Sequence, residues 1–327
     1  MQQGRTGGRR SPTFRFRAFP HRPSWRPWGT QNRRSTLDLT LAHALQAAGL
    51  GLVAGVAGGL AGIGGSLIIL PGLGLFMGYD EPERTVQHLY MGSAMIVNFL
   101  VAAPAAWRHS RAGSVPGSIV KVVLPAMTLA MLAGVLLSDQ VRGERLVLIL
   151  AAFIGGYALL NIYRVVRPRR NAPAHPPAPR GGLLAGIGGF TGVIGGLLGI
   201  GGGIVMVPLL QVFARTPLRL AIGASSAAMC VTAVFGSTLK VWGLPAHGFS
   251  AGDALLLAGA MAPTAIVGSL VGARLTHTLP LKAVRIIISA LLLAAAARMA
   301  LSHFQHERRT PGAPSVEPTR APSEQPG

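Results

Sequence analysis

Hydrophobic positions in this chain come in long blocks separated by short polar and charged stretches. Uncharged or nearly uncharged segments run over about 40–79, 86–107, 116–137, 146–163, 181–213, 220–239, 254–273 and 281–301. A bilayer span takes about 20 mostly apolar residues, so the pattern predicts an all-α polytopic membrane protein with about eight spans. The first and fifth segments are too long for one straight crossing. At ~1.5 Å per residue they would reach ~50 Å against a hydrocarbon core of ~30 Å. Each is predicted to be broken, strongly tilted or partly re-entrant.

The same two segments repeat one another. "GGLAGIGGSLIILPGL" (Gly58 to Leu73) and "GGLLGIGGGIVMVPLL" (Gly195 to Leu210) share nine of sixteen positions at a constant offset of 137. Gly62/Gly199, Gly64/Gly201, Gly65/Gly202 and Pro71/Pro208 are among the matches, and Pro125 with Gly134 corresponds to Pro263 with Gly272 at an offset of 138. Two membrane repeats of four spans follow, 39–166 and 181–302, joined by a Pro/Arg-rich linker at 167–180 and flanked by tails at 1–38 and 303–327.

Glycine at this density has two uses. Gly51, Gly55 and Gly59, like Gly188, Gly192 and Gly196, recur every four residues and let helix backbones approach closely. The denser runs Gly64, Gly65, Ser66 and Gly201, Gly202, Gly203 carry too little helix propensity to hold a continuous rod. Non-helical backbone at membrane depth is tolerated only where protein or a water-filled cavity satisfies it. Interrupted segments at corresponding places in two halves point to a transport site.

Composition agrees with the segment pattern. Half the residues are hydrophobic and 12% charged, too apolar for an ordinary soluble globule. The formal charge of +20 is not spread over one surface. Nine arginines precede Leu37, and Arg164, Arg167, Arg169, Arg170 and Arg180 cluster about the linker. The basic tail is too long and runs into too long an apolar segment for a cleaved signal. It is read as disordered and cytoplasmic, its Arg/aromatic run adhering to lipid headgroups or having no role, rather than binding nucleic acid. The tail from 303 is likewise read as disordered.

With one net crossing per segment, a cytoplasmic N-terminus places Arg108, Arg111, the linker, Lys240 and the C-terminal tail inside. Asp80, Glu81, Glu83, Asp139 and Glu144 fall outside, the partition the positive-inside bias favours. The repeats would then be parallel. Both termini would be cytoplasmic and the protein a multi-pass inner-membrane one. Lys240 and Arg274, near span ends, are read as snorkelling to the interface. His88 is read as a boundary residue and Cys230 as a packing residue.

An anion inside a membrane needs donors without a full charge that would trap it. Half-helix N-termini supply N–H groups and a partial positive charge, and glycine lets the backbone reach the ligand. The candidate substrate-binding residues are therefore Gly62, Gly64, Gly65 and Ser66 with Gly199, Gly201, Gly202 and Gly203, facing each other across one cavity. Ser93, Ser225 and Ser226 can add hydroxyls, although each can instead bond its own helix. Asn98 stands inside the second span, where its amide demands partners. Mid-span Asp and Glu are absent, so a carboxylate relay has little to be built from. No nucleotide, phosphate, zinc or hydrolase motif is present, so no enzyme activity, metal or cofactor is expected.

The doubled "G-I-G-G-(G/S)-x4-P" element, with "RLAIGASS" (Arg219 to Ser226) in the second half, resembles the sulfite exporter TauE/SafE family of membrane permeases over about Leu41 to Leu301. In the first half "VQHLYMGSA" (Val86 to Ala94) leaves only Gly92 and Ser93 as counterparts of that second element. The resemblance implies a secondary permease for small anions such as sulfite, sulfonates or sulfoacetate. The alternative is a non-transporting scaffold or receptor whose glycines only pack helices. The expected partners are a small anionic substrate and the lipid bilayer, with homo-oligomerisation left open and no nucleic acid.

Overall fold

The computed structural model describes residues 40–79, 84–166, 180–275, 286 and 289–301. The two tails, the body of the linker and the acidic residues Asp80, Glu81 and Glu83 lie outside the described residues. Ten α-helices are described: α1 (Leu41–Ala61), α2 (Ser66–Phe76), α3 (Val86–Arg111), α4 (Gly117–Asp139), α5 (Gly143–Val166), α6 (Gly181–Leu198), α7 (Gly203–Val212), α8 (Leu218–Gly243), α9 (Ala251–Leu275) and α10 (Ser289–Leu301). A short 3-10 turn, Leu244–His247, follows α8. Seven helices are long and apolar enough to cross a bilayer, while α2, α7 and α10 are shorter.

Both over-long segments are broken at the glycines. The break in the first is Gly62 to Gly65 and in the second Gly199 to Gly202, so Ser66 and Gly203, expected in the unwound runs, are the first helical residues beyond them. Pro71 and Pro208 sit inside α2 and α7 rather than at the breaks.

The glycines spaced by four have the packing role. Gly51, Gly55 and Gly59 lie against the backbone of Met261, Ala265 and Ser269 in α9. Gly188, Gly192 and Gly196 lie against Val123, Met127 and Met131 in α4. At each of the six a methyl group would drive into a facing carbonyl oxygen, so small residues set the interhelical distance. Residue numbers rise together along both contacts. Thus α1 runs parallel to α9 and α6 parallel to α4.

At each break the chain reverses. Gly65 lies beside Ala54 and Gly72 beside Leu50, so α2 runs back along α1. It also runs antiparallel to α3, since Ser66 Oγ donates to the Ala94 carbonyl (2.9 Å) and Tyr90 OH to that of Gly78 (2.9 Å). In the second half, α7 returns beside α8: Ser225 Oγ reaches Gly203 O (3.3 Å), and Thr216 N–H donates to Leu210 O (3.0 Å). Because α8 parallels α4, with Gly223 beside Ser114 and Gly243 beside Asp139, α7 is also antiparallel to α6.

Each broken segment therefore enters and leaves at one end of the bundle, and the expectation of one net crossing per segment fails. Two ends can be named. The Lys240 end holds the starts of α1, α3 and α9 and the finishes of α2, α4 and α8. The Arg111 end holds the finishes of α3, α5 and α9 and the start of α6. Asn161 Nδ2 donates to Ser289 Oγ (2.7 Å), and Gly155 lies beside Ala296, so α10 runs back from the Arg111 end along α5.

This topology predicts that a reporter fused within the linker and one fused after α10 report opposite faces of the membrane. Identical readings from the two fusions would mean that the broken segments cross rather than return.

Candidate functional site

Backbone exposed by a break at membrane depth must find partners, and Asn98 supplies them. It sits at the middle of α3, fully buried, and its Oδ1 accepts from Gly65 N–H at 3.0 Å. The same amide separates the two breaks. A Cβ on Gly64 would collide with Asn98 Oδ1, and one on Gly201 with Asn98 Nδ2. Both glycines have φ in the left-handed region, +78° and +73°, which L side chains rarely adopt. Gly65 differs: its φ is −80° and a Cβ there would meet side chains at 3.3 Å or more.

The breaks also touch directly. Ser225 Oγ donates to Gly62 O (2.8 Å) and lies 3.3 Å from Gly203 O. A Cβ on Gly203 would sit 2.9 Å from Gly62 O. The expected facing of the two glycine runs is thus present, with Asn98 and Ser225 between them. The N-termini of α2 and α7 converge here from opposite directions, bringing together two sets of first-turn N–H groups and two partial positive charges.

The remaining hydroxyls divide. Ser66 bonds Ala94 of α3, and Ser93 bonds Leu89 in its own helix (3.0 Å). Two donors in this region stay unsatisfied among the described residues: Asn98 Nδ2 and the hydroxyl of buried Ser226. Such groups each cost about 1–3 kcal/mol unless a ligand or water takes them.

A second polar cluster closes the Lys240 end. Lys240, in the last turn of α8, is completely buried. Its ammonium donates to Asp139 Oδ1 (2.6 Å), Ser138 Oγ (2.8 Å) and His88 Nδ1 (2.9 Å). The His88 and His247 rings stack at 3.6 Å between centroids, inclined by only 6°, and His247 Nε2 lies 3.5 Å from Asp139 Oδ1. The snorkelling expected of Lys240 does not occur, because α4 brings it a carboxylate inside the bundle. Lys240 and Asp139 share one end, not opposite faces. Arg274 is exposed at the finish of α9, in keeping with its expected place. His88, Asp139 and His247 could reach one metal ion, but the Lys240 ammonium already holds the carboxylate oxygen and the His88 nitrogen that would ligate it.

The profile of the sulfite exporter TauE/SafE family matches residues 47–299, the whole described bundle apart from its ends. The chain belongs to this family. The chain is 28% identical over 288 residues to the probable membrane transporter protein MamO of Magnetospirillum gryphiswaldense, covering 76% of this chain and 44% of the relative. It is 27% identical over 291 residues to the MamO of Paramagnetospirillum magneticum, covering 77% and 44%. The chain thus spans less than half the length of these relatives. No solved structure matches. Both relatives are named as probable membrane transporters.

For this TauE/SafE protein the sequence pointed to the breaks and to Asn98 but missed the Lys240 cluster, whose members are remote in sequence and gave no motif. The cluster ties α3, α4, α8 and the turn after α8. Lys240→Met, which leaves Asp139 without its buried partner, is expected to lower stability by about 3–5 kcal/mol. Adding Asp139→Asn should recover most of the loss, measured as thermal unfolding in detergent. A double variant as unstable as the single one would show that the pair is not the source of the effect.

Proposed function

We propose that this chain is a secondary permease that moves small anions of the sulfite, sulfonate or related organosulfur class across the inner membrane. The observation that carries the reading is the fully buried Asn98 amide between the two breaks, with its Nδ2 lacking a partner among the described residues. A buried donor flanked by two converging helix N-termini suits an oxyanion. It offers N–H groups and partial charge without a fixed cation that would hold the anion too tightly. Gly62, Gly64, Gly65, Ser66, Gly199, Gly201, Gly202 and Gly203 frame this place; Ser226 keeps a hydroxyl without a partner among the described residues, whereas the Ser225 hydroxyl is spent on Gly62 O and ties the breaks together. Ser93 drops to a supporting role because its hydroxyl is engaged by its own helix.

The repeated sequence supports two halves, α1 to α5 and α6 to α10, each contributing one break. Support also comes from the matched packing of α1 on α9 and α6 on α4. Three net crossings per half relate such halves by inversion, the arrangement in which a midplane site is shared and alternately exposed. The family, that of the sulfite exporters, supplies the substrate class.

Asn98→Asp tests this reading, because it keeps an oxygen for Gly65 N–H while replacing the donor with a negative charge. In proteoliposomes, counterflow of sulfite and of sulfoacetate should fall roughly tenfold or more, with yield and monodispersity held. Wild-type flux in that variant would remove the site from Asn98. If the glycines only pack helices, flux should instead fall in step with yield.

A further inference from the structure

The Lys240 end holds a second set of polar groups that the central site does not use. Arg84, just before α3, is buried to 6% exposure, and its Nη1 has no hydrogen-bond partner among the described residues. The residue adopts φ +51°, a left-handed conformation uncommon without glycine. Its guanidinium stands 4.9 Å from the centre of the Tyr79 ring. Tyr79 OH donates to Gln87 Oε1 at 3.1 Å, which leaves Gln87 Nε2 as a donor. That amide nitrogen is also buried and without a partner among the described residues. Burial raises the Tyr79 phenol far above its usual range, so it stays neutral and keeps donating.

Tyr79 and Arg84 line a cavity of about 240 Å³ together with Gly74, Leu75, Gly78, Arg298 and Met299. Arg298 comes from the exposed face of α10 and brings a second guanidinium to the wall. Two arginines on the wall of one cavity supply donors only. Arginine has no acceptor, and its planar N–H groups match the oxygens of an oxyanion.

We propose that this cavity is an oxyanion-binding vestibule, held by Arg84 and Arg298 with Gln87 beside them. It rests on the transport reading above and adds a peripheral station at the Lys240 end of the route. Its ligand class is a small oxyanion with three or more oxygens, either the free substrate or the phosphate of a lipid headgroup. Its guanidiniums carry the full positive charge that the central site lacks.

The test is equilibrium binding of radiolabelled sulfite to the full chain in phosphatidylcholine nanodiscs, in the Asn98→Asp background that removes the central donor. One sulfite per chain should still bind, and Arg84→Gln or Arg298→Gln should each weaken it by about tenfold. Arg298 is exposed, so Arg298→Gln keeps the test readable if Arg84→Gln does not fold. No residual binding in Asn98→Asp, or residual binding indifferent to both arginine changes, overturns the vestibule. Transport by Asn98→Asp is scored separately, so failure of the central site does not imitate failure of this one. Repeating the measurement in dodecyl maltoside, whose head group has no phosphate, separates the sources. Sulfite binding that tightens there identifies a headgroup phosphate as the competing occupant, and unchanged binding identifies the free anion, each in keeping with an oxyanion site.

Discussion

Two stretches of non-helical backbone are placed inside a membrane protein, and everything else in the bundle answers to them. At Gly62 to Gly65 and Gly199 to Gly202 the chain abandons helix, reverses and starts again. Hydrocarbon cannot satisfy those N–H and C=O groups, so other parts of the protein must. Asn98 accepts from one break and lies against the other, and Ser225 donates to Gly62. Only glycine accepts the left-handed backbone at Gly64 and Gly201 without meeting that same amide.

For α3 and α8 to deliver Asn98 and Ser225 there, the flanking helices must stand very close. The rows Gly51, Gly55, Gly59 and Gly188, Gly192, Gly196 provide this, removing side chains where α1 meets α9 and α6 meets α4. Reversal has a second consequence. Since α2 and α7 return to the ends from which α1 and α6 set out, only the remaining helices change sides, and the two ends acquire different chemistry. Lys240, Asp139, His88 and His247 gather at one of them because α3 starts where α4 and α8 finish. A buried lysine is costly alone and tolerable only with its carboxylate and hydrogen bonds in place.

Much of this was legible in the chain. Segment length against bilayer thickness required the breaks, and low helix propensity located them to within a residue or two; only Ser66 and Gly203 were misplaced. A polar Asn98 among apolar neighbours announced its role, since a buried amide needs partners. The direction of α2 and α7 was not legible, because glycine permits a kink, a tilt or a reversal alike. From that came the error over Lys240: counted as one crossing each, the broken segments put it across the membrane from Asp139. Charge patterning could not correct this, since a lysine near a span end looks the same whether it snorkels outward or pairs inward. The vestibule was hidden for a related reason, as Arg84 and Arg298 lie far apart in sequence and meet only because α10 returns to the Lys240 end.

The central claim is that an anion binds at Asn98 between the two breaks. Its most direct measurement is the anomalous scattering of selenium in crystals of the full chain soaked with selenite, a heavier relative of sulfite. The account predicts a selenium peak within hydrogen-bonding distance of Asn98 Nδ2, beside the first residues of α2 and α7. Selenium bound elsewhere, with the space around Asn98 unoccupied, would contradict it.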